Sequence, residues 1–136
     1  MKNKSSPWSN KLLQLVLFLL LIETLSGLAI FFLVPLRITV ELYEFLHIWF
    51  GFALIPVYII FQVYHYKQKL KSKGSLAYSL GLATAFSLIL TILTGLSLYF
   101  NLISIENLNN LPNLIHAITS FIWMMLFASH LAVVLK

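Results

Sequence analysis

The amino-acid sequence predicts an all-α integral membrane protein, a bundle of four helices built from two helical-hairpin repeats. The chain has 136 residues, of which 60 % are hydrophobic and only 10 % charged. It therefore lacks the polar side chains that would cover a soluble domain. Four apolar segments of about 25 residues each occupy most of the chain, and about 20 residues suffice to span a bilayer. A single transmembrane domain covering residues 1–136 is expected.

The four predicted helices cover residues 12–36, 42–66, 76–100 and 111–135. The first apolar run is longer than the core of a cleaved signal peptide, about 7–15 residues, so we expect it to be retained. It ends near Pro35. Gly74 and Ser75 interrupt the chain before the third helix. Pro112 suits the first turn of the fourth helix, where a missing backbone N–H costs little.

The basic residues predict the orientation of the chain. Eight of the nine lysines and arginines lie before the first helix, between the second and third, or at the end of the chain. Only Arg37 lies in another link. Because cytoplasmic loops carry the excess of positive charge, both termini are expected in the cytoplasm of a bacterium or archaeon. Topology thus accounts for the net charge of +5, and a nucleic-acid partner is not expected.

The absence of cysteine excludes several kinds of site. With no cysteine in the chain, there are no disulfides, no thiolate-bound iron–sulfur clusters and no covalently attached c-type haem.

The two halves of the chain resemble each other. The first helix contains TLSGLAIFF and the third contains ILTGLSLYF, which places Gly27 and Gly95 68 residues apart. His47 and His116, each near the start of the following helix, are 69 residues apart. This spacing predicts two parallel repeats of one hairpin, with the second and fourth helices running in the same direction.

All four histidines lie on the second and fourth helices. His116 and His130 are fourteen residues apart, and His47 and His65 are eighteen apart. Both spacings return to nearly the same helix face at about 100° per residue. Imidazole is a good ligand for haem iron. One histidine from each helix at matched depth would hold a haem, so two haems b are expected, between His47 and His116 externally and between His65 and His130 internally.

The rise between the two histidines differs between the helices. It is about 21 Å on the fourth helix and about 27 Å on the second. A stronger tilt of the second helix, or a distortion at Pro56, would absorb part of this mismatch. The alternative is that His65 is an interfacial histidine beside Tyr66 and Lys67.

These features resemble the b-type cytochromes of membranes. The H-x13-H spacing from His116 to His130 is similar to that of respiratory cytochrome b and of the cytochrome b subunits of formate dehydrogenases and nickel–iron hydrogenases. The chain length and the LSGL and LTGL motifs resemble small cytochrome b-like proteins of four spans. The chain departs from cytochrome b on the second helix, where position 61 is Phe61 rather than histidine. The resemblance implies an electron-transfer subunit of a redox complex, with other redox subunits and quinone as partners.

Three further residues are candidates for the site. Glu23 lies near the middle of the first helix, where an ionised carboxylate is costly, and it could relay protons or bond to a neighbouring hydroxyl. Gly51, one turn after His47, could let a haem approach, although small residues also let helices pack closely. Arg37 could bind a haem propionate, or be an ordinary loop cation.

Two other functions remain open from the sequence. In the first, a non-redox membrane subunit uses the histidines and Glu23 for a proton or ion path, which requires them to share a polar site. In the second, a structural or assembly subunit carries no cofactor, and replacing a histidine changes little.

Overall fold

The computed structural model describes residues 11–69, 75–100 and 111–134. These residues form four α-helices: α1 (Lys11–Leu33), α2 (Glu41–Lys69), α3 (Leu76–Tyr99) and α4 (Leu111–Val134). A 3₁₀ turn, Val34–Leu36, follows α1. No β-strand occurs within these ranges. The prediction of an all-α chain with four helices is confirmed.

The C-terminal end of α1 differs from its predicted position. The α-helix ends at Leu33, and the chain tightens into the 3₁₀ turn that contains Pro35, since proline cannot donate the backbone hydrogen bond that would extend an α-helix. Arg37 ends the turn with φ 57°, in the left-handed region. Its N–H donates to the Val34 carbonyl at 3.0 Å.

The other helix ends agree closely with the sequence. Ser75 caps α3, and its Oγ accepts a hydrogen bond from Tyr78 N at 3.2 Å. Pro112 is the second residue of α4. Helix α2 continues through Pro56 and extends to Lys69, three residues beyond its predicted end.

Each of the four helices is long and apolar enough to cross a membrane. Large apolar side chains face outward on all of them: Phe32 is 60 % exposed, Trp49 61 %, Phe86 64 % and Met125 73 %. Such surfaces are suited to lipid rather than water. The orientation stays a prediction, because most of the lysines that predict it lie outside the described residues: Lys2, Lys4, Lys71, Lys73 and Lys136.

The chain divides into two compact units, Met1–Lys67 and Gln68–Lys136. In unit 1, Gly27 of α1 lies against His47 of α2, and Glu23 lies against Gly51. His47 comes before Gly51 in α2, whereas its neighbour Gly27 comes after Glu23 in α1. The two helices are therefore antiparallel. The chain is thus organised as one helical hairpin per unit, while its description as a single four-helix domain stays a prediction.

Unit 2 is built in the same way from α3 and α4. Gly95 lies against His116 near the α3–α4 connection, and Gly81 lies against His130 toward the other end. These contacts again make the two helices antiparallel.

Buried positions repeat between the units with the spacings found in the sequence. On the first helix of each unit the spacing is 68 residues, and on the second it is 69. Leu20 and Leu88 are both buried, and Leu54 of α2 corresponds to the buried Trp123 of α4. The equivalent pairs Val16 with Thr84 and Leu19 with Ser87 are buried as well. The unit 2 hairpin therefore buries hydroxyls where unit 1 buries aliphatic side chains.

Candidate functional site

Three histidines pack directly against glycines of the neighbouring helix. A Cβ atom added to Gly27 would lie 3.0 Å from Cε1 of His47. The same construction gives 3.0 Å between Gly95 and Cε1 of His116, and 3.0 Å between Gly81 and Cε1 of His130. A real side chain would displace each ring, since carbon atoms pack at about 3.5–4.0 Å. We call these three pairs the glycine–histidine contacts.

Two of the glycine–histidine contacts occupy equivalent places in the two hairpins. Gly27 and His47 lie beside the α1–α2 connection, and Gly95 and His116 lie beside the α3–α4 connection. The residue before each of these two glycines carries a hydroxyl group, Ser26 in α1 and Thr94 in α3. We call Ser26–Gly27 and Thr94–Gly95 the hydroxyl–glycine pairs. The residue before Gly81 is Leu80, so the third contact has no such pair.

The Ser26–Gly27 pair surrounds one nitrogen of His47. Nδ1 of His47 lies 3.2 Å from the Glu23 carbonyl oxygen and 3.4 Å from Ser26 Oγ. The Ser26 hydroxyl donates to the Ile22 carbonyl at 2.8 Å and lies 3.1 Å from that of Glu23. Ser26 is 3 % exposed, so its hydroxyl is shielded from the surroundings.

In unit 2 the Thr94–Gly95 pair lies around Nδ1 of His116 in the same way. Nδ1 of His116 lies 3.1 Å from Thr94 Oγ1, and the Thr94 hydroxyl donates to the Thr91 carbonyl at 2.9 Å. Thr119 Oγ1 lies 3.2 Å from Thr94 Oγ1 and donates to the His116 carbonyl at 3.0 Å. The imidazole, the hydroxyl and the backbone of α4 are therefore tied together.

Glu23 joins the His47 group through its side chain. Its Oε1 lies 3.4 Å from His47 Nδ1, and a Cβ atom on Gly51 would lie 2.8 Å from the same oxygen. Gly51 was predicted as a neighbour of haem, and the structure places the Glu23 carboxylate against it. Oε2 of Glu23 is buried and meets no hydrogen-bond donor among the residues that the structure describes.

The two hairpins differ at their far ends, where the first helix of each hairpin begins and the second ends. In unit 2 this end holds the Gly81–His130 contact. Phe61 and Leu13 take the equivalent positions in unit 1, at the same spacings of 69 and 68 residues. His65 lies one turn beyond Phe61, half-buried, and the two rings stack with centroids 5.3 Å apart and planes 21° apart.

The sequence-predicted residues fall into separate groups. His47, Glu23 and Gly51 meet in unit 1, while Arg37 lies exposed in the turn after α1. The predicted haem pairs each take one histidine from each unit, and they stay predictions. Within residues 11–69, 75–100 and 111–134, no three histidine or acidic side chains lie close enough to hold a metal ion among them.

Sequence reasoning missed the residues that hold the imidazoles: Ser26, Thr94 and Thr119. A signal was present for two of them, since Ser26 and Thr94 occupy the same position in the LSGL and LTGL motifs. Thr119 has no counterpart with a hydroxyl, because the equivalent residue of α2 is Phe50.

No protein-family model, no curated protein and no solved structure matches the chain.

Proposed function

We propose that this chain is a b-type cytochrome of a membrane, an electron-transfer subunit that binds haem through its histidines. The ligand pairs are His47 with His116 and His65 with His130. Haem iron, when bound, supplies one-electron redox chemistry. The chain would supply the imidazoles that hold the haem, their orientation and an apolar environment. Electrons exchange with quinone on one side and with a partner redox subunit on the other.

The observation that carries this proposal is the repeated glycine–histidine contact. His47 and His116 are each set against a glycine, and each makes its Nδ1 contacts with a hydroxyl on the same neighbouring helix. Histidines that bind metals characteristically use one nitrogen for the metal and hydrogen-bond through the other. Ordinary packing requires no such repetition of imidazole, hydroxyl and glycine at equivalent places in two hairpins.

The donors that the structure offers fit haem. In each hairpin one imidazole packs against a glycine at the equivalent position, and no three histidine or acidic side chains cluster among the described residues. Two imidazoles from the protein would suffice to hold a haem, since the porphyrin would supply the other nitrogen ligands. His130, against Gly81, provides a second level in unit 2. Arg37 is exposed and available to a propionate.

A reduced-minus-oxidised optical spectrum of the purified protein, with a pyridine haemochrome assay, tests the proposal. We expect a b-type spectrum and two haems per chain. The variants His47→Ala and His116→Ala should each remove the same haem, and His65→Ala and His130→Ala the other. Ser129→Ala is a matched control, since Ser129 is exposed beside His130 and donates to the Met125 carbonyl.

Each outcome of this assay has a definite meaning. One haem per chain, unaffected by His65→Ala, would remove His65 from the ligand set and leave Phe61 and His65 as a stacked interfacial pair. Protein that folds and binds no haem would refute the cytochrome proposal.

A second candidate function is a proton or ion path in unit 1, favoured by the contact between Glu23 and His47. Oε1 of Glu23 lies 3.4 Å from His47 Nδ1, so an acid and a base share one site inside a predicted span. Proteoliposomes holding the wild-type protein would then conduct protons, and Glu23→Gln would abolish this flux. A haem-containing protein with no flux would exclude this function.

A further inference from the structure

We propose that Ser26 and Thr94 are positioning residues that fix His47 and His116 in the Nδ1–H tautomer and so direct Nε2 toward iron. The assignment of Nε2 to iron rests on the proposed haem-binding function. The assignment of the tautomer rests on the hydrogen bonds alone.

Counting protons in unit 2 assigns the tautomer of His116. A threonine hydroxyl has one hydrogen to donate and lone pairs with which to accept. The hydrogen of Thr94 points to the Thr91 carbonyl, 2.9 Å away. This carbonyl is nearer to the Thr94 hydroxyl than Thr119 Oγ1, at 3.2 Å, so we assign the hydrogen to it. Toward His116 Nδ1, 3.1 Å away, the Thr94 oxygen then accepts and Nδ1 carries the proton.

The same count in unit 1 assigns His47. The Ser26 hydrogen points to the backbone of its own helix, with the Ile22 carbonyl at 2.8 Å. His47 Nδ1 also lies 3.2 Å from the Glu23 carbonyl oxygen, which can only accept, and 3.4 Å from Glu23 Oε1, which accepts when the carboxylate is ionised. Nδ1 of His47 is therefore the donor, and Nε2 carries the lone pair that could bind a metal.

The serine or threonine and the glycine that follows it act together to position the imidazole. The glycine lets Cε1 of the ring lie against the backbone, which brings the adjacent Nδ1 within reach of the preceding hydroxyl. A side chain at Gly95 would push the ring away from Thr94. The adjacency of the two residues in the sequence is therefore part of the mechanism.

Hydrogen bonding at Nδ1 affects the iron through the ring. An acceptor opposite Nδ1–H increases the electron donation of the imidazole, which stabilises ferric over ferrous iron. Removing the Thr94 hydroxyl should therefore raise the midpoint potential. We expect Thr94→Val to change the oxidised-to-reduced ratio at fixed potential by roughly tenfold, which corresponds to about 59 mV for one electron. Ser26→Ala should have a smaller effect, because the Glu23 carbonyl at 3.2 Å remains.

Two measurements on the full-length protein in nanodiscs test this proposal. Redox titration with optical detection gives the midpoint potential of each haem in the wild type, Thr94→Val and Thr94→Ser. Thr94→Ser should restore the wild-type value because it keeps the hydroxyl. Thr91→Val is the matched control, since it removes a hydroxyl that donates to the Ser87 carbonyl one turn away.

Nitrogen-15 labelling of the histidines provides the second measurement. In the reduced, diamagnetic protein, the Nδ1–H proton of His116 should exchange slowly with solvent, and Thr94→Val should make this exchange at least tenfold faster. The same protein prepared without haem reports the tautomer directly, through two-bond couplings between ring protons and nitrogens. This last measurement uses the wild type, so it does not depend on the folding of any variant.

The results separate the two proposals. A wild-type His116 with its proton on Nε2 would overturn the positioning role, and so would a Thr94→Val protein with unchanged potential and unchanged exchange. A protein without haem but with the Nδ1–H tautomer at His47 and His116 would refute the cytochrome function and retain the tautomer assignment.

Discussion

At the scale of single residues, the glycines of α1 and α3 are important because histidine rings pack against them. The Cβ position of Gly95 is 3.0 Å from the His116 ring, so any other residue there competes with the imidazole for the same space. Gly27 stands in the same relation to His47. A glycine inside a helix normally lowers stability by roughly 0.5–1 kcal/mol relative to alanine. Here the packing of the imidazole ring against the glycine offsets that loss.

We therefore expect Gly95→Ala to destabilise the protein, in spite of the better helix propensity of alanine. Overpacking of this kind costs typically about 1–3 kcal/mol, because the His116 ring is held by Thr94 at 3.1 Å and cannot simply rotate away. Unfolding in mixed detergent micelles, followed by circular dichroism, measures the change in the free energy of unfolding.

A double-mutant cycle identifies the cause. If the added methyl group meets His116, Gly95→Ala should cost little in a His116→Ala background. Gly51→Ala is a useful comparison, since its Cβ would meet the Glu23 carboxylate, the far end of a flexible side chain, at 2.8 Å. It should cost less than Gly95→Ala. An equal cost of Gly95→Ala in both His116 backgrounds would contradict the steric explanation.

The sequence identified many of these residues but not their contacts. Glu23, His47 and Gly27 were each recognisable from residue type or repeat position. Which of them meet depends on the register between α1 and α2, and helical periodicity gives the face of a residue without giving its partner. The contact between Glu23 and His47 at 3.4 Å therefore became visible only in the structure.

At the scale of elements, the helices were predictable because their signal is strong. An apolar run longer than about 20 residues has few alternatives to a helix, and Ser75 and Pro112 mark two starts clearly. The end of α1 was less predictable. Pro35 indicates that the helix must end, but the choice of a 3₁₀ turn and of a left-handed residue after it depends on local geometry.

This turn gives a prediction at the same scale. Arg37 has φ 57°, a conformation that costs a residue with a Cβ atom about 1–2 kcal/mol and suits glycine. Arg37→Gly should leave the protein as stable as the wild type or up to about 1 kcal/mol more stable. Arg37→Val should destabilise it, because β-branched residues tolerate this region poorly. Thermal unfolding in detergent compares the three proteins, and a lower melting temperature for Arg37→Gly would contradict the prediction.

At the scale of the whole molecule, the repeat was predictable and the difference between its copies was not. The spacings of 68 and 69 residues anticipate two similar hairpins, and the buried positions follow the same spacings. The far ends of the two hairpins diverge, with Gly81 and His130 in one and Leu13 and Phe61 in the other. A weak sequence repeat does not show which copy keeps a given contact.

The predicted topology can be tested because the chain contains no cysteine. Single-cysteine variants report the side of the membrane without background. Thr39→Cys, in the α1–α2 connection, should react with a membrane-impermeant maleimide in intact cells, whereas Ser72→Cys should react only after permeabilisation. Labelling of Ser72→Cys in intact cells would contradict the orientation predicted from the positive charges.

The hairpin as the repeating unit has a consequence for ancestry. A segment with two spans begins and ends on the same side of the membrane, so a tandem copy of its gene inserts in the same orientation with no change in charge distribution. Each copy then carries its own hydroxyl–glycine pair at the same position within its hairpin. The copies can afterwards diverge at either level: unit 1 has a carboxylate, Glu23, beside His47, and unit 2 sets His130 against Gly81 where unit 1 has Phe61 and Leu13.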